Sequence, residues 1–332
     1  MTRFRAIRIE KTDAGQSASY VDLDDSALMD GDVDVDVLFS GLNFKDGAAV
    51  TGARPVVRRF PMIPGVDFSG RVSASRHPAF SAGDLVVAGG CGLGEAHFGG
   101  FAQKARLPAD WLSPLPAGLS PARAMALGTA GVTAAFCVMA LERFGLAPER
   151  GSVVVTGAAG GVGSVAVALL AQAGWRVVAV TGRAEEADYL RSLGASDIID
   201  RAELAAVGKP LQSQQFAAGV DAVGGATLVN ILARIQFDGA VAACGNAQSM
   251  EFPGSVAPFI LRGVSLLGIE SVTPRIALRH AAWERLARDI APAVLDSLTE
   301  TIPFSAALAR AQEIVGGRVR GRIVIDVGGD SA

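Results

Sequence analysis

One stretch of the chain, "VVVTGAAGGVGSVAVALLAQAGWRVVAVTGRAEE" (153–186), spaces its residues as phosphate chemistry requires. An apolar run (153–155) leads into a glycine-rich turn (157–163) and then a helical pattern read as starting at Ser164. Gly160 lets the backbone approach a pyrophosphate, and Gly163 lets helix and strand pack closely. Ala159, Gly161 and Val162 complete the phosphate-facing turn, where free helix amides and the helix dipole attract anions. Ala158 stands where the first glycine of G-x-G-x-x-G is usual. After the second apolar run, where an NAD site carries an acid for the ribose hydroxyl, this chain has Thr181, Gly182 and Arg183. A guanidinium there suits a 2′-phosphate, which it grips with two hydrogen bonds, and Thr181 adds a hydroxyl. The stretch therefore predicts NADP(H). The alternative for Arg183 is a solvated arginine at a helix start. Glu185 and Glu186 fit first-turn helix carboxylates.

Other residues able to do chemistry are sparser. Arg54, Arg58 and Arg59 form a basic cluster, either a solvated loop or a site for phosphates. His97 sits in the glycine-rich "GGCGLGEAHFGGF", as a loop residue or as a substrate contact or proton donor. The three histidines (His77, His97, His280) show no ligand spacing with Cys91, Cys137 and Cys244, so no metal is expected. The cysteines are widely spaced and odd in number, which fits a reducing cytoplasm. "MTRFRAIRIEKTDAG" has no apolar signal-peptide core, and a net charge of −3 argues against nucleic-acid or anionic-membrane partners.

These residues need elements to hold them. The chain's 332 residues suggest two domains. Residues 1–120 read as β-rich: "DVDVDVLFSGLNF", "SGRVSAS" and "GDLVVAGG" are strands, while "FPMIPGVDFSG" and "PLPAGLSPARA" are loops or strand edges. The apolar run in 124–141 reads as a buried helix. Apolar runs at 152–156, 175–181, 197–199, 220–223, 240–244 and 266–269 alternate with helical stretches at 163–173, 185–193, 226–235 and about 256–261. That alternation predicts a parallel, doubly wound Rossmann sheet of six strands. "PRIALRHAAWERLARDIAPAVL" reads as one helix, "FSAALARAQEIVGG" as another and "GRIVIDV" as a closing strand. The expected class is α/β, with a catalytic domain of 1–121 and 296–332 and a nucleotide domain of 122–295.

A β-rich domain flanking a Rossmann domain resembles medium-chain dehydrogenases. Their zinc members carry Cys where this chain has Asn43, and a His-Glu pair where it has Val66 and Asp67. Taken together, "LNFKDGAAVTG", "RRFPMIPGVDFSG", "GEAHFGGFAQKARLPADWL", "LGTAGVTAAFCVMALE", the 153–183 stretch and "PFILRGVSLLGIESV" closely resemble the NADPH-dependent acrylyl-CoA reductases, zinc-free members of the quinone-oxidoreductase branch. The likeness runs from about Phe4 to Val327. It implies a GroES-like catalytic domain, a bacterial cytosolic homodimer joined at "GVSLLGIESV", and reduction of acryloyl-CoA to propionyl-CoA with NADPH.

The resemblance also assigns residues. "LNFKD" would lie over the nicotinamide, with Phe44 against the cofactor where the family usually has Tyr. Asn43 would donate to the acyl oxygen or the cofactor, with Asp46 beside it; turn and cap chemistry is the alternative for both. Thr129 would approach the nicotinamide, or simply bond its own helix backbone. Gly245 would line the cofactor crevice, Ser271 and Arg322 would be further cofactor contacts, and Arg58, Arg59 and His97 would meet the acyl-CoA. Cys244 reads as a small buried hydrophobe. Two other functions share these features: an NADPH quinone or general enone reductase, and a non-catalytic NADPH-binding regulatory protein.

Overall fold

The computed structural model describes residues 3–13, 15–273 and 275–329. In chain order the strands and helices are β1 (Arg3–Thr12), β2 (Gly15–Asp24), β3 (Val33–Leu42), α1 (Phe44–Thr51), β4 (Asp67–Ser75), β5 (Leu85–Gly89), β6 (Lys104–Leu107), β7 (Leu112–Pro114), α2 (Pro121–Arg143) and β8 (Ser152–Val155). There follow α3 (Gly161–Gln172), β9 (Arg176–Thr181), α4 (Ala187–Ser192), β10 (Ala195–Asp200), β11 (Phe216–Asp221), α5 (Gly225–Leu232), β12 (Ile235–Ala243), α6 (Ala257–Arg262) and β13 (Ser265–Gly268). The chain ends with α7 (Ile276–Asp289), α8 (Pro292–Leu298), β14 (Thr299–Pro303), α9 (Ala307–Val315) and β15 (Arg322–Asp326). It divides into two compact units: Met1–Thr129 with Ser271–Ala287 and Leu295–Ala332, and Ala130–Glu270 with Arg288–Val294.

The first unit is built on a seven-stranded sheet, β14-β15-β3-β4-β5-β7 with β6 also on β3, antiparallel except for the β14–β15 pair. Alternation in "VDVDV" buries Val33, Val35 and Val37 on one face. They join Ile7, Ile9, Phe68, Phe101 and Ile323 in one core. Full burial of each such side chain contributes about 1.5–3 kcal/mol. The β1–β2 hairpin was not anticipated, although Phe4, Ala6, Ile7 and Ile9 are its buried positions.

The second unit carries six parallel strands in the order β10-β9-β8-β11-β12-β13. This is the doubly wound order of a Rossmann domain, as expected. Boundaries differ where turn chemistry intervenes. The strand expected at 220–223 is β11, which ends at Asp221, because Gly224 and Gly225 adopt positive φ and the Asp221 carboxylate accepts the amides of Val223 and Gly224. The single helix expected near the C-terminal end is two, α7 and α8: Pro292 has no N–H to donate, and its ring clashes with a preceding carbonyl. Pro274, at the start of that stretch, lies outside the described residues.

The apolar helix expected in 124–141 is α2, but Gly128 interrupts it with φ 51 and ψ −152. By length and composition α2 is apolar enough to cross a membrane, yet 89% of its apolar window is buried inside the fold, as in a core helix.

Candidate active site

In the second unit, β8 ends at Val155, and the Thr156 hydroxyl donates to the buried Asp221 carboxylate over 2.6 Å while accepting the Ala222 amide. Burial pushes Asp221 above the usual carboxylate range, opposed by its bond from Thr156. This clamp ties the ends of two central strands where ligands bind in such sheets. The left-handed backbone falls on Gly157, at φ 60, so Ala158 is accommodated and is fully buried. A Cβ on Gly163 would strike the Gly157 carbonyl, which makes Gly163 obligatory. The helix begins at Gly161, three residues earlier than expected, with Gly160 as its cap. The amides of Gly161, Val162 and Gly163 are therefore the first-turn donors that an α-helix leaves without intrahelical partners. Ser164 braces the turn, donating to Ala158 O over 3.2 Å and accepting from the Tyr189 hydroxyl.

At the end of β9 the Thr181 hydroxyl accepts the Arg183 amide at 3.1 Å. The Arg183 guanidinium reaches the Ala159 carbonyl at 3.3 Å and lies 3.8 Å from buried Glu186. A second arginine, missed in the sequence, lies alongside. A Cβ on Gly182 would come within 2.8 Å of the Arg201 guanidinium carbon. The reason is register: Asp200 of β10 pairs with Thr181 of β9, so the next residue of each strand, Arg201 and Gly182, meet at the sheet's carboxyl edge. Arg201 lies in a segment without clear pattern, and only parallel pairing brings it here. Further along, a Cβ on Gly245 would meet the Ala222 backbone, so this position also requires glycine. Cys244 is half-buried rather than buried and donates to Asp221 O; its bond to Cys137 and burial push the Cys137 thiol up.

In the first unit a buried ionic network sits at the start of α1. Asp46 is 1% exposed and accepts the Asn43 amide at 2.8 Å, the Asn43 Nδ2 at 3.1 Å and the Val66 amide at 2.8 Å. Asp67, equally buried, accepts the Gly41 amide at 3.0 Å, the Asn43 Nδ2 at 3.1 Å and the Thr129 amide at 2.6 Å. Arg322 donates to Asn43 Oδ1 at 3.0 Å, Ala126 O at 2.7 Å and Met125 O at 3.4 Å. A Cβ on Gly128 would lie 2.7 Å from Asp67 Oδ2, so the break in α2 is molded around this carboxylate. Burial, reinforced by Asp67, pushes Asp46 up to about 7; burial lowers Arg322.

Several expectations change on this geometry. The Asn43 side-chain amide is committed to two carboxylates, so it is not positioned as a donor to an acyl oxygen; Asn43 and Asp46 do cap and turn work. Arg322 was expected at the cofactor, but its guanidinium is spent on Asn43 and two helix carbonyls. The Thr129 amide donates to Asp67 Oδ2 at 2.6 Å. The Ser271 carbonyl accepts from Arg279 at 2.6 Å. His97 Nε2 meets the Arg106 carbonyl at 2.8 Å and its ring packs edge-on against Trp111 at 5.1 Å. Burial lowers the His97 pKa, and these two contacts hold its ring in the loop. Phe44 is 39% exposed, with the Arg54 guanidinium 5.1 Å over its ring. Arg58 and Arg59 are exposed.

A doubly wound sheet with this glycine turn, in a chain that also carries the mixed-sheet unit, defines a medium-chain dehydrogenase/reductase. The family described as zinc-binding dehydrogenase matches residues 161–288, and the alcohol dehydrogenase GroES-like domain matches 29–117. The acrylyl-CoA reductase AcuI of Ruegeria pomeroyi is 47% identical, over 98% of this chain and 99% of its own. The probable acrylyl-CoA reductase AcuI of Escherichia coli is 46% identical, over 97% and 99%. The yhdH oxidoreductase of Salmonella enterica, solved in complex with NADP, superposes with a TM-score of 0.95 at 47% identity, covering 97% and 99% of the two chains. This chain belongs to the acrylyl-CoA reductase family of the medium-chain dehydrogenase/reductase superfamily.

The zinc implied by one of these family descriptions is not matched by residues. Among the described residues no group of three or more His, Cys, Asp or Glu is arranged to hold a metal. Asn43 and Asp67 are occupied by each other and by Arg322 through Asn43.

Proposed function

We propose that the protein reduces the C=C bond of acryloyl-CoA to give propionyl-CoA, using NADPH. Near-full-length identity to a relative named for that reaction carries the reading. The residues fit the cofactor: the Gly161–Gly163 amides would hold its pyrophosphate, and Thr181, Arg183 and Arg201 its 2′-phosphate. When bound, NADPH supplies a hydride to the β-carbon of the thioester. The chain's task is to orient the reactants and exclude water. Asn43, Asp46, Asp67 and Arg322 hold α1 and the Thr129 backbone in place. Thr129, Phe44, Gly245 and Ser271 remain candidate contacts of the cofactor. With phenylalanine at 44 there is no hydroxyl for proton delivery, and the α-carbon proton comes from water. We assign 122–295 to the nucleotide domain and the flanking segments to catalysis, in a cytoplasmic enzyme.

The assembly we propose is a homodimer through β13, an edge strand whose Leu266 is exposed, as are the nearby Ile260 and Leu261 of α6. The test of function is NADPH oxidation with acryloyl-CoA, a quinone and simple enones in parallel, with propionyl-CoA identified by mass spectrometry. Equal or faster turnover of the quinone would transfer the assignment to a quinone reductase. NADPH binding without oxidation across the panel would mean a regulatory protein.

A further inference from the structure

We propose that Glu95 is a positioning residue that fixes Lys45 and Arg58 as an anchor for the phosphates at the nucleotide end of coenzyme A. The proposal rests on the acyl-CoA reading above and names the part of that substrate recognised. Glu95 is 6% exposed, in the glycine-rich loop ahead of His97. One of its carboxylate oxygens takes the Lys45 ammonium, and the other lies 3.7 Å from the Arg58 guanidinium. The Arg58 amide also donates to the Glu95 carbonyl at 2.8 Å. A single buried carboxylate thus joins three segments: the first turn of α1, the loop after it and the glycine-rich loop.

The two cations are far less buried than the carboxylate that holds them. The Lys45 side chain is 35% exposed and that of Arg58 76%, against 8% for Glu95. An ammonium has three donors and a guanidinium five, so both keep donors beyond those Glu95 uses. Exposed Arg59 lies next in sequence to Arg58, and half-buried Arg54 stacks on Phe44. Two cations on one carboxylate leave a local excess of positive charge, although the whole chain carries −3. Burying a carboxylate is costly, and a well-packed apolar residue would serve a purely structural staple as well. What the buried charge adds is fixed placement of two cations that reach solvent. Phosphates of a nucleotide fit that arrangement; the thioester and pantetheine arm, which carry no charge, do not need it.

The experiment compares acryloyl-CoA with acryloyl-pantetheine, which lacks the nucleotide, at saturating NADPH in wild type, Glu95→Gln, Lys45→Met and Arg58→Met. The ratio of kcat/KM for the two thioesters should fall about fivefold to tenfold in each variant, mainly through KM for acryloyl-CoA. An unchanged ratio, or a parallel loss on both substrates, would overturn the anchor and leave Glu95 as a loop staple. Adenosine 3′,5′-bisphosphate titrated into the NADPH-saturated protein gives a readout independent of turnover. Its affinity should fall in the same variants, and equal affinity in wild type and variants counts against the proposal. Should wild type reduce neither thioester yet bind the bisphosphate in a Glu95-dependent way, the acrylyl-CoA reading fails and the anchor stands.

Discussion

At the residue scale, the proposed cofactor choice rests on two guanidiniums near Gly182. A phosphate–guanidinium contact in such a site would be charge-assisted and strong. Arg183→Ala and Arg201→Ala should each lower the NADPH-over-NADH preference in kcat/KM by about tenfold or more, with NADH turnover little altered. Steady-state kinetics with both cofactors checks this, and an unaltered preference in Arg201→Ala would remove that residue from the site. Asp46 makes a second prediction, of pH dependence. Its folded pKa is about 7 against an ordinary 3.8, so the folded state holds a proton that the unfolded chain releases between those values. A raised acid pKa means stability is greatest below about 4 and declines as pH rises through 7, with a ceiling of about 4 kcal/mol for a shift of this size. Urea unfolding from pH 5 to 8 should show that decline in wild type and a flatter profile in Asp46→Asn.

At the element scale, the break in α2 is the feature most exposed to mutation. Gly128 combines φ 51 and ψ −152 with a Cβ position 2.7 Å from the Asp67 carboxylate. Gly128→Ala should cost about 2–4 kcal/mol, from backbone strain and displacement of a buried, hydrogen-bonded carboxylate. Thermal unfolding measures it, and a loss below about 0.5 kcal/mol would show that the break is soft. The glycine turn is constrained in another way. A Gly163 side chain would strike the Gly157 carbonyl inside the phosphate turn itself, so Gly163→Ala should weaken NADPH binding beyond its effect on stability. Calorimetric titration beside the thermal curve separates the two effects.

For the whole molecule, the first unit is assembled from three chain segments and holds both ends of the described chain, so it depends on contacts between segments far apart in sequence. The exposed edge at β13 is where a second copy would add. Leu266→Lys, which puts a charge on that edge, should shift sedimentation from dimer to monomer at micromolar concentration. An unchanged dimer in this variant would move the interface elsewhere.

The sequence by itself determined the doubly wound sheet, its glycine turn, the NADP cofactor and the family. Those signals are local: alternating apolar runs, glycines at fixed offsets and one side chain after a strand. The resemblance also put Asn43, Val66 and Asp67 where zinc-containing relatives carry ligands. Tertiary structure decided what the replacements do. Asn43 and Arg322 looked like cofactor or substrate donors because they are polar and near matching motifs. They are instead partners of each other across 279 residues of sequence. Arg201 met Gly182 only through strand register. Glu95 gathered Lys45 and Arg58 only through loop packing. A hydrogen bond or ion pair between distant segments leaves no periodicity in the chain, because it depends on where the backbone brings two groups together. These residues therefore took their roles from the fold.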